Sequence, residues 1–128
     1  MRLLLDSNAL IWSVSEPARL SIVAKQAIRD SENQIVVSLV SLWEITIKIS
    51  KGGLAQLGSS IQYLLDEVRE QRFELLQLRP EHLLALGRLE RHHRDPFDRL
   101  LIAQGIAERL PVATSDPGFS KYPVEVFW

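Results

Sequence analysis

Short apolar runs alternate with helical patterns from one end of this chain to the other, and that alternation limits the fold more than any other feature of the sequence. Residues 2–5 (RLLL) stop at Asp6 and read as a buried strand followed by a turn. Helical patterns follow over residues 8–14 and 21–30; in the second, Ile22, Val23, Ala27 and Ile28 recur at helical spacing. Residues 35–37 (IVV) are β-branched between polar neighbours, which marks a second strand. Residues 38–51 are apolar with charges at Glu44, Lys48 and Lys51, a helix halted by Gly52-Gly53. The remainder reads as a helix over 59–72, a strand over 73–78, helices over 80–90 and 95–109, and strands over 111–114 and 124–127. Strands alternating with helices imply an α/β fold of three layers, a central and mostly parallel sheet flanked by helices on both faces. No repeat, linker or low-complexity stretch interrupts the pattern, and 128 residues suit one core, so residues 1–128 are expected to form a single domain.

Composition narrows the functional classes. Hydrophobic residues at 46% and charged residues at 24% describe a globular chain rather than a disordered one. The lack of cysteine excludes disulfides and cysteine-ligated zinc. The first apolar run is too short for a signal-peptide core and no stretch reaches spanning length, so a cytoplasmic protein with no membrane partner is expected. A net charge of −1 argues against salt-driven wrapping of nucleic acid, although local charge matters more than the sum. Locally, Arg88, Arg91, His92, His93, Arg94 and Arg99 cluster beside two aspartates.

Ligands bind open parallel sheets outside the carboxyl ends of the strands. Asp6 directly follows the first strand and Asp116 follows PVAT; Glu44 lies early in the helix after IVV, and Asp98 lies in the first turn of the helix opened by Asp95-Pro96. Four acids from four distant segments are therefore expected near one edge of the sheet. Each also has an ordinary reading. Asp6, Asp95 and Asp116 fit helix caps, Asp98 suits a helix dipole, and Ser41-x-x-Glu44 has the form of a capping box inside an apolar pattern that already began near Leu39. Lys48, four residues after Glu44, could pair with it within the helix. Taken together the acids weigh more, because crowded carboxylates raise one another's pKa unless something positive compensates. An oxygen-only cluster suits Mg²⁺ or Mn²⁺ better than Zn²⁺. Such a cation can activate water and stabilise charge on a phosphodiester. The histidines weigh less: His92-His93 reads as solvated or RNA-facing and His82 as a helix-surface residue, while Trp12 and Trp43 read as core. No Walker or dinucleotide-binding glycine loop and no serine-hydrolase elbow is present.

LLLDSNALIW at 3–12, VSLVSLWEITIKISKGGL at 37–54, RDPFDRLLIAQ at 94–104 and VATSD at 112–116 resemble, in order, the four blocks of PIN-domain toxins of the VapC type. DPFDRLLIAQ is the most specific of these. The resemblance implies a metal-dependent endoribonuclease acting on structured RNA such as tRNA, using Mg²⁺ or Mn²⁺, held inactive by a cognate antitoxin and usually homodimeric. Carried over by position, Asp6, Glu44 and Asp98 match the acidic triad and Asp116 the fourth acid, with Ser7 and Ser115 at supporting hydroxyl positions. Asp6 and Asp98 would hold the metal directly or through water, Glu44 would orient the attacking water or hold a second ion, and Asp116 would stand at the rim. Arg91, Arg94 and Arg99 could hold RNA phosphates. One position departs from the pattern: Asn8 stands where this branch commonly has histidine, which bears on substrate preference.

Three other readings compete. A receiver domain would need an acid at the end of the third strand, where Arg79-Pro80 follows instead. A haloacid-dehalogenase-like phosphatase would need a second aspartate at position 8, which is Asn. The third is a catalytically silent PIN fold kept as an RNA- or protein-binding module, and dependence on a divalent metal separates it from the nuclease.

Overall fold

A computed structural model describes residues 1–128. The strands are β1 (Arg2–Leu5), β2 (Gln34–Ser38), β3 (Glu74–Leu76), β4 (Val112–Ala113) and β5 (Val126–Phe127). The helices are α1 (Ser7–Ser15), α2 (Ile22–Arg29), α3 (Leu39–Ser50), α4 (Gln62–Glu70), α5 (Pro80–Arg88) and α6 (Pro96–Glu108). Short 3₁₀ turns at Pro17–Arg19, Ala55–Leu57 and Pro117–Lys121 complete the chain. All five strands are parallel, in the order β3-β2-β1-β4-β5. The expected α/β architecture is therefore present. The last three strands are shorter than their sequence patterns: β3 and β5 are edges with one neighbour each, and β4, although internal, is shortened with its short partner β5.

Side-chain alternation sorts the core into two layers. Leu3, Leu5, Ile35, Val37 and Ala113 face a cluster supplied by α1–α4, including Leu10, Leu42, Ile45, Leu64 and Val68. Leu4, Val36, Leu76 and Val112 face the opposite cluster, with Leu101 and Ile102 of α6, Phe119 and Tyr122. A strand covered on both faces must be apolar throughout, which is why β1 reads as an uninterrupted run of leucines rather than an alternating one. Crossovers β1→β2→β3 advance in one direction, and β3→β4 returns past β1 to its other side. Right-handed crossovers running in opposite directions must lie on opposite faces, which puts α5 and α6 across the sheet from α1–α4. Gly105 permits the close approach of α6, since a Cβ there would lie 2.9 Å from Val112 Cγ2 and 3.0 Å from Val124 Cγ2.

One polar chain runs through the α5–α6 layer. Ser38 Oγ, which caps α3 by accepting from the Val40 N–H, donates to Gln104 Oε1 at 2.5 Å. Gln104 Nε2 donates to His82 Nδ1 at 3.2 Å, and His82 Nε2 donates to Glu108 Oε2 at 3.0 Å. His82 is thus not the helix-surface residue expected from sequence but is fully buried. Its ring turns back at the third position of α5 to accept from the Arg79 N–H at 3.0 Å, the part a glutamate plays in a capping box. Trp43 departs in the other direction. It is 58% exposed, packed edge-to-face on Phe97 with centroids 4.9 Å apart, because α3 turns Leu42, Ile45 and Ile49 to the core instead. Trp12 is partly buried against Trp128 and lies under the Arg19 guanidinium. No helix is long and apolar enough to cross a membrane.

Candidate active site

Strand order reverses at β1 and β4, and the crevice such a reversal opens lies at their carboxyl ends. Asp6 leaves β1 there as the N-cap of α1, accepting from the Ala9 N–H at 2.7 Å. Asp116 lies just beyond β4 and caps the Pro117–Lys121 turn through the Gly118 N–H at 2.8 Å. Asp95 caps α6, accepting from the Phe97 and Asp98 N–H groups at 2.8 and 3.3 Å, and so presents Asp98 on the first turn. The capping readings thus hold for these three aspartates, and capping is what places them. Glu44 differs. Ser38, not Ser41, caps α3, which leaves the Glu44 carboxylate free of a capping-box role.

All four expected acids line one cleft of about 170 Å³, together with Asp95, Ser7, Asn8, Lys48 and Phe119. Ser7 Oγ donates to Glu44 Oε1 at 2.5 Å, and Lys48 Nζ stands 3.4 Å from Glu44 Oε2. The other expected hydroxyl, Ser115, is exposed and does not line the cleft. The neighbouring Thr114 is buried, accepts the Asp116 N–H at 3.0 Å and hydrogen-bonds Asp6. β4 ends at Ala113; Thr114 still lies beneath the layer that buries Val112, whereas Ser115 is one residue further beyond the strand and emerges at the surface.

Five carboxylates face one lysine in this cleft, and that lysine is already engaged by Glu44. Burial pushes the Asp6 carboxyl above the usual carboxylate range, against the hydrogen bonds from Thr114 and Ala9, and the charges of Asp116 and Glu44 add to the rise. Asp98 is pushed up to about 6, first by burial and then by the charges of Asp95 and Glu44; nearby His93 opposes the rise and Asp116 adds slightly to it. Crowded anions with raised pKa values and only oxygen donors fit a hard divalent cation, which would relieve the repulsion that the protein leaves uncompensated.

His93 is more enclosed than the sequence suggested. It is not solvated but partly buried, with Nε2 3.3 Å from Asp116 Oδ2. One potential ligand atom from each of His93, Asp98 and Asp116 lies within 4.8 Å of the others. No local pattern in the sequence ties His93 to this place; in the fold it lies against Gly118, where a Cβ would lie 2.5 Å from His93 Cε1. His92, by contrast, is exposed and pairs with Glu90 at 3.1 Å. Beside the acidic cleft lies a larger basin of about 690 Å³ lined by Arg91, Arg94 and Arg99 along with both histidines. Arg91 and Arg94 are exposed, whereas Arg99 is tied down by donating to the Glu90 carbonyl at 2.9 Å.

The fold is similar to that of several solved structures. VapBC2 from Rickettsia felis, bound to a DNA fragment from their promoter, aligns with a TM-score of 0.72 at 18% identity over 98% of this chain and 96% of that one. DNA-bound VapBC from Salmonella typhimurium aligns at 0.70 and 17%, and FitAcB from Neisseria gonorrhoeae at 0.68 and 20%, each over 98% of this chain and 96% of the other. No curated protein sequence matches the chain significantly. At these identities the solved structures establish the fold alone, but the PIN domain family model matches residues 3–125, with every acid of the cleft inside the match, and the chain belongs to the PIN-domain family.

Proposed function

We propose that this protein is a metal-dependent endoribonuclease that hydrolyses phosphodiester bonds of structured RNA, tRNA among the candidates, and serves as the toxin of a toxin–antitoxin pair. The observation that carries the reading is the convergence of Asp6, Glu44, Asp98 and Asp116, from four separate segments, in one cleft at the reversal of the sheet. Structural capping alone accounts for Asp6 and Asp116 singly but not for the meeting of the four, nor for raised pKa values at Asp6 and Asp98.

Asp6 and Asp98 are the residues to hold Mg²⁺ or Mn²⁺, directly or through water, and Asp116 completes the metal-holding set from the rim, where its side chain is 43% exposed. When bound, the cation supplies charge neutralisation at the phosphodiester and lowers the pKa of water. Glu44 is fixed at both oxygens, by Ser7 and by Lys48, and a carboxylate so oriented can accept a hydrogen bond from the attacking water. The Asn8 amide at the cleft can donate to a phosphate or a base where an imidazole would titrate. Arg91, Arg94 and Arg99 line the adjoining basin, where guanidinium groups can grip backbone phosphates on either side of the scissile bond. The toxin role and the antitoxin partner rest on family membership and on the VapBC neighbours; the homodimer rests on the family resemblance alone, and a cytoplasmic location follows from an RNA target.

The test is incubation of the antitoxin-free protein with folded tRNA and total RNA in Mg²⁺, Mn²⁺ or chelator, beside Asp98→Asn. Discrete products that require the metal and vanish in the variant are expected. Metal-independent RNA binding without cleavage would replace the nuclease with a silent binding module. Cleavage indifferent to Asp98→Asn would remove the proposed site.

A further inference from the structure

His93 has two possible parts beside the acids: a nitrogen ligand for a cation, or a donor that holds a carboxylate in place. Donor and acceptor counting around Tyr122 separates them. The phenolic oxygen accepts two backbone N–H groups, from His92 at 3.0 Å and His93 at 2.8 Å. Those bonds occupy its acceptor capacity and leave its own O–H to donate. The remaining partner is His93 Nδ1 at 3.3 Å. A ring that accepts at Nδ1 carries its proton on Nε2 when neutral, and Nε2 faces Asp116 Oδ2 at 3.3 Å. Asp116 is then held at both oxygens, Oδ1 by the Gly118 N–H and Oδ2 by the imidazole.

We infer that His93 is a positioning residue for Asp116, locked by Tyr122 as the Nε2–H tautomer, and that it does not ligate the cation. A ligating Nε2 would have to be bare, which would put a proton on Nδ1 facing an oxygen with no acceptor capacity left. The glycine at position 118 belongs to the same device. Its backbone is free of left-handed strain, yet any Cβ would lie 2.5–2.6 Å from the ring. Outer hydrogen-bond partners of this kind orient metal-binding carboxylates and are worth about 10–100-fold in metal affinity. The inference deepens the metal-site reading of Asp116 and rests on it for its consequence, but not for the tautomer.

The experiment is a long-range ¹H–¹⁵N correlation spectrum of histidine-labelled full-length protein, metal-free and with Mg²⁺, paired with calorimetric Mg²⁺ titration of variants. The expected spectrum shows His93 as the Nε2–H tautomer in both states, with the pattern lost in Tyr122→Phe and Gly118→Ala. An Nδ1–H tautomer, or loss of the Nε2 proton on adding Mg²⁺, would overturn the inference. In the titration, His93→Ala should weaken Mg²⁺ binding about 10–100-fold, while His93→Gln, whose amide can donate from nearly the same place, should stay within about threefold of wild type. Equal affinities for wild type and His93→Ala would equally overturn it. If the wild type itself binds no Mg²⁺, the metal reading fails, and the spectrum alone then decides the Tyr122–His93–Asp116 chain.

Discussion

Two polar clusters lie on the same helix, α6, and they are built on opposite rules. At Gln104 the chain Ser38–Gln104–His82–Glu108 gives every acceptor a donor, and no buried side-chain polar atom in the protein is left without a partner. One turn and a half toward the start of the helix, Asp98 shares a cleft with four further carboxylates and a single lysine. The first cluster is complete in the folded chain and locks α5 and α6 to the end of β2. The second is satisfied in hydrogen bonds through its caps but not in charge. A buried network that is closed contributes stability and uniqueness, whereas one left in charge imbalance costs stability until a ligand completes it. Their contrast is therefore a functional one, and mutations should act on the two with opposite sign.

The largest effect should come from Asp98→Asn, measured as RNA cleavage: a loss on the order of 10²-fold or more, comparable to losing one charge-stabilising group from an active site. The same variant should be no less stable than wild type at pH 8 in urea unfolding, since it removes a charge that the cleft disfavours; marked destabilisation would place Asp98 in the structural class instead. Gln104→Leu should behave inversely, costing roughly 2–4 kcal/mol in urea unfolding because Ser38 and His82 lose their buried partner. A neutral outcome there would show the buried chain to be dispensable. Saturating Mg²⁺, at about 100 times its Kd, should raise stability by about 2.7 kcal/mol. Gln104→Leu should keep that increment and Asp98→Asn should lose most of it.

The smallest effect is in the pH dependence of the metal-free protein. Asp98 is pushed up to about 6 from the 3.8 of an ordinary aspartate. The folded state therefore holds this proton more tightly than the unfolded chain. Its contribution to stability is full below pH about 4 and is lost as pH rises through about 6. Asp6 moves in the same direction. The urea midpoint of Asp98→Asn relative to wild type should therefore rise between pH 4 and pH 7. A constant difference over that range would mean that the carboxyl is not raised in the folded protein.

Much of the fold and most of the cleft were legible in the sequence. The uninterrupted leucines of β1 and the β-branched run of β2 read as strands, and the caps at Asp6, Asp95 and Asp116 mark helix starts that need no distant partner. Thr114 in place of Ser115 was not decidable from alternation, because β4 is covered on both faces and the end of a two-residue strand is set by its neighbours rather than by its own pattern. His82 and Trp43 were misread for a related reason. Helical periodicity reports which face is apolar on average, and a histidine that caps its own helix or a tryptophan on the far side of an apolar helix breaks that average.

Local chemistry, then, decided the strands, the helix starts and the identity of the acids, because apolar periodicity and capping depend on residues a few positions apart. Tertiary structure decided which polar groups meet. Tyr122 reaches His93 across 29 positions, Gln104 reaches Ser38 across 66, and Ser7 reaches Glu44 across 37. No sequence periodicity encodes such pairs. They exist because the sheet reverses its order at β1 and β4 and the crossovers keep one hand, which carries Asp6, Glu44, Asp98 and Asp116 into the same crevice.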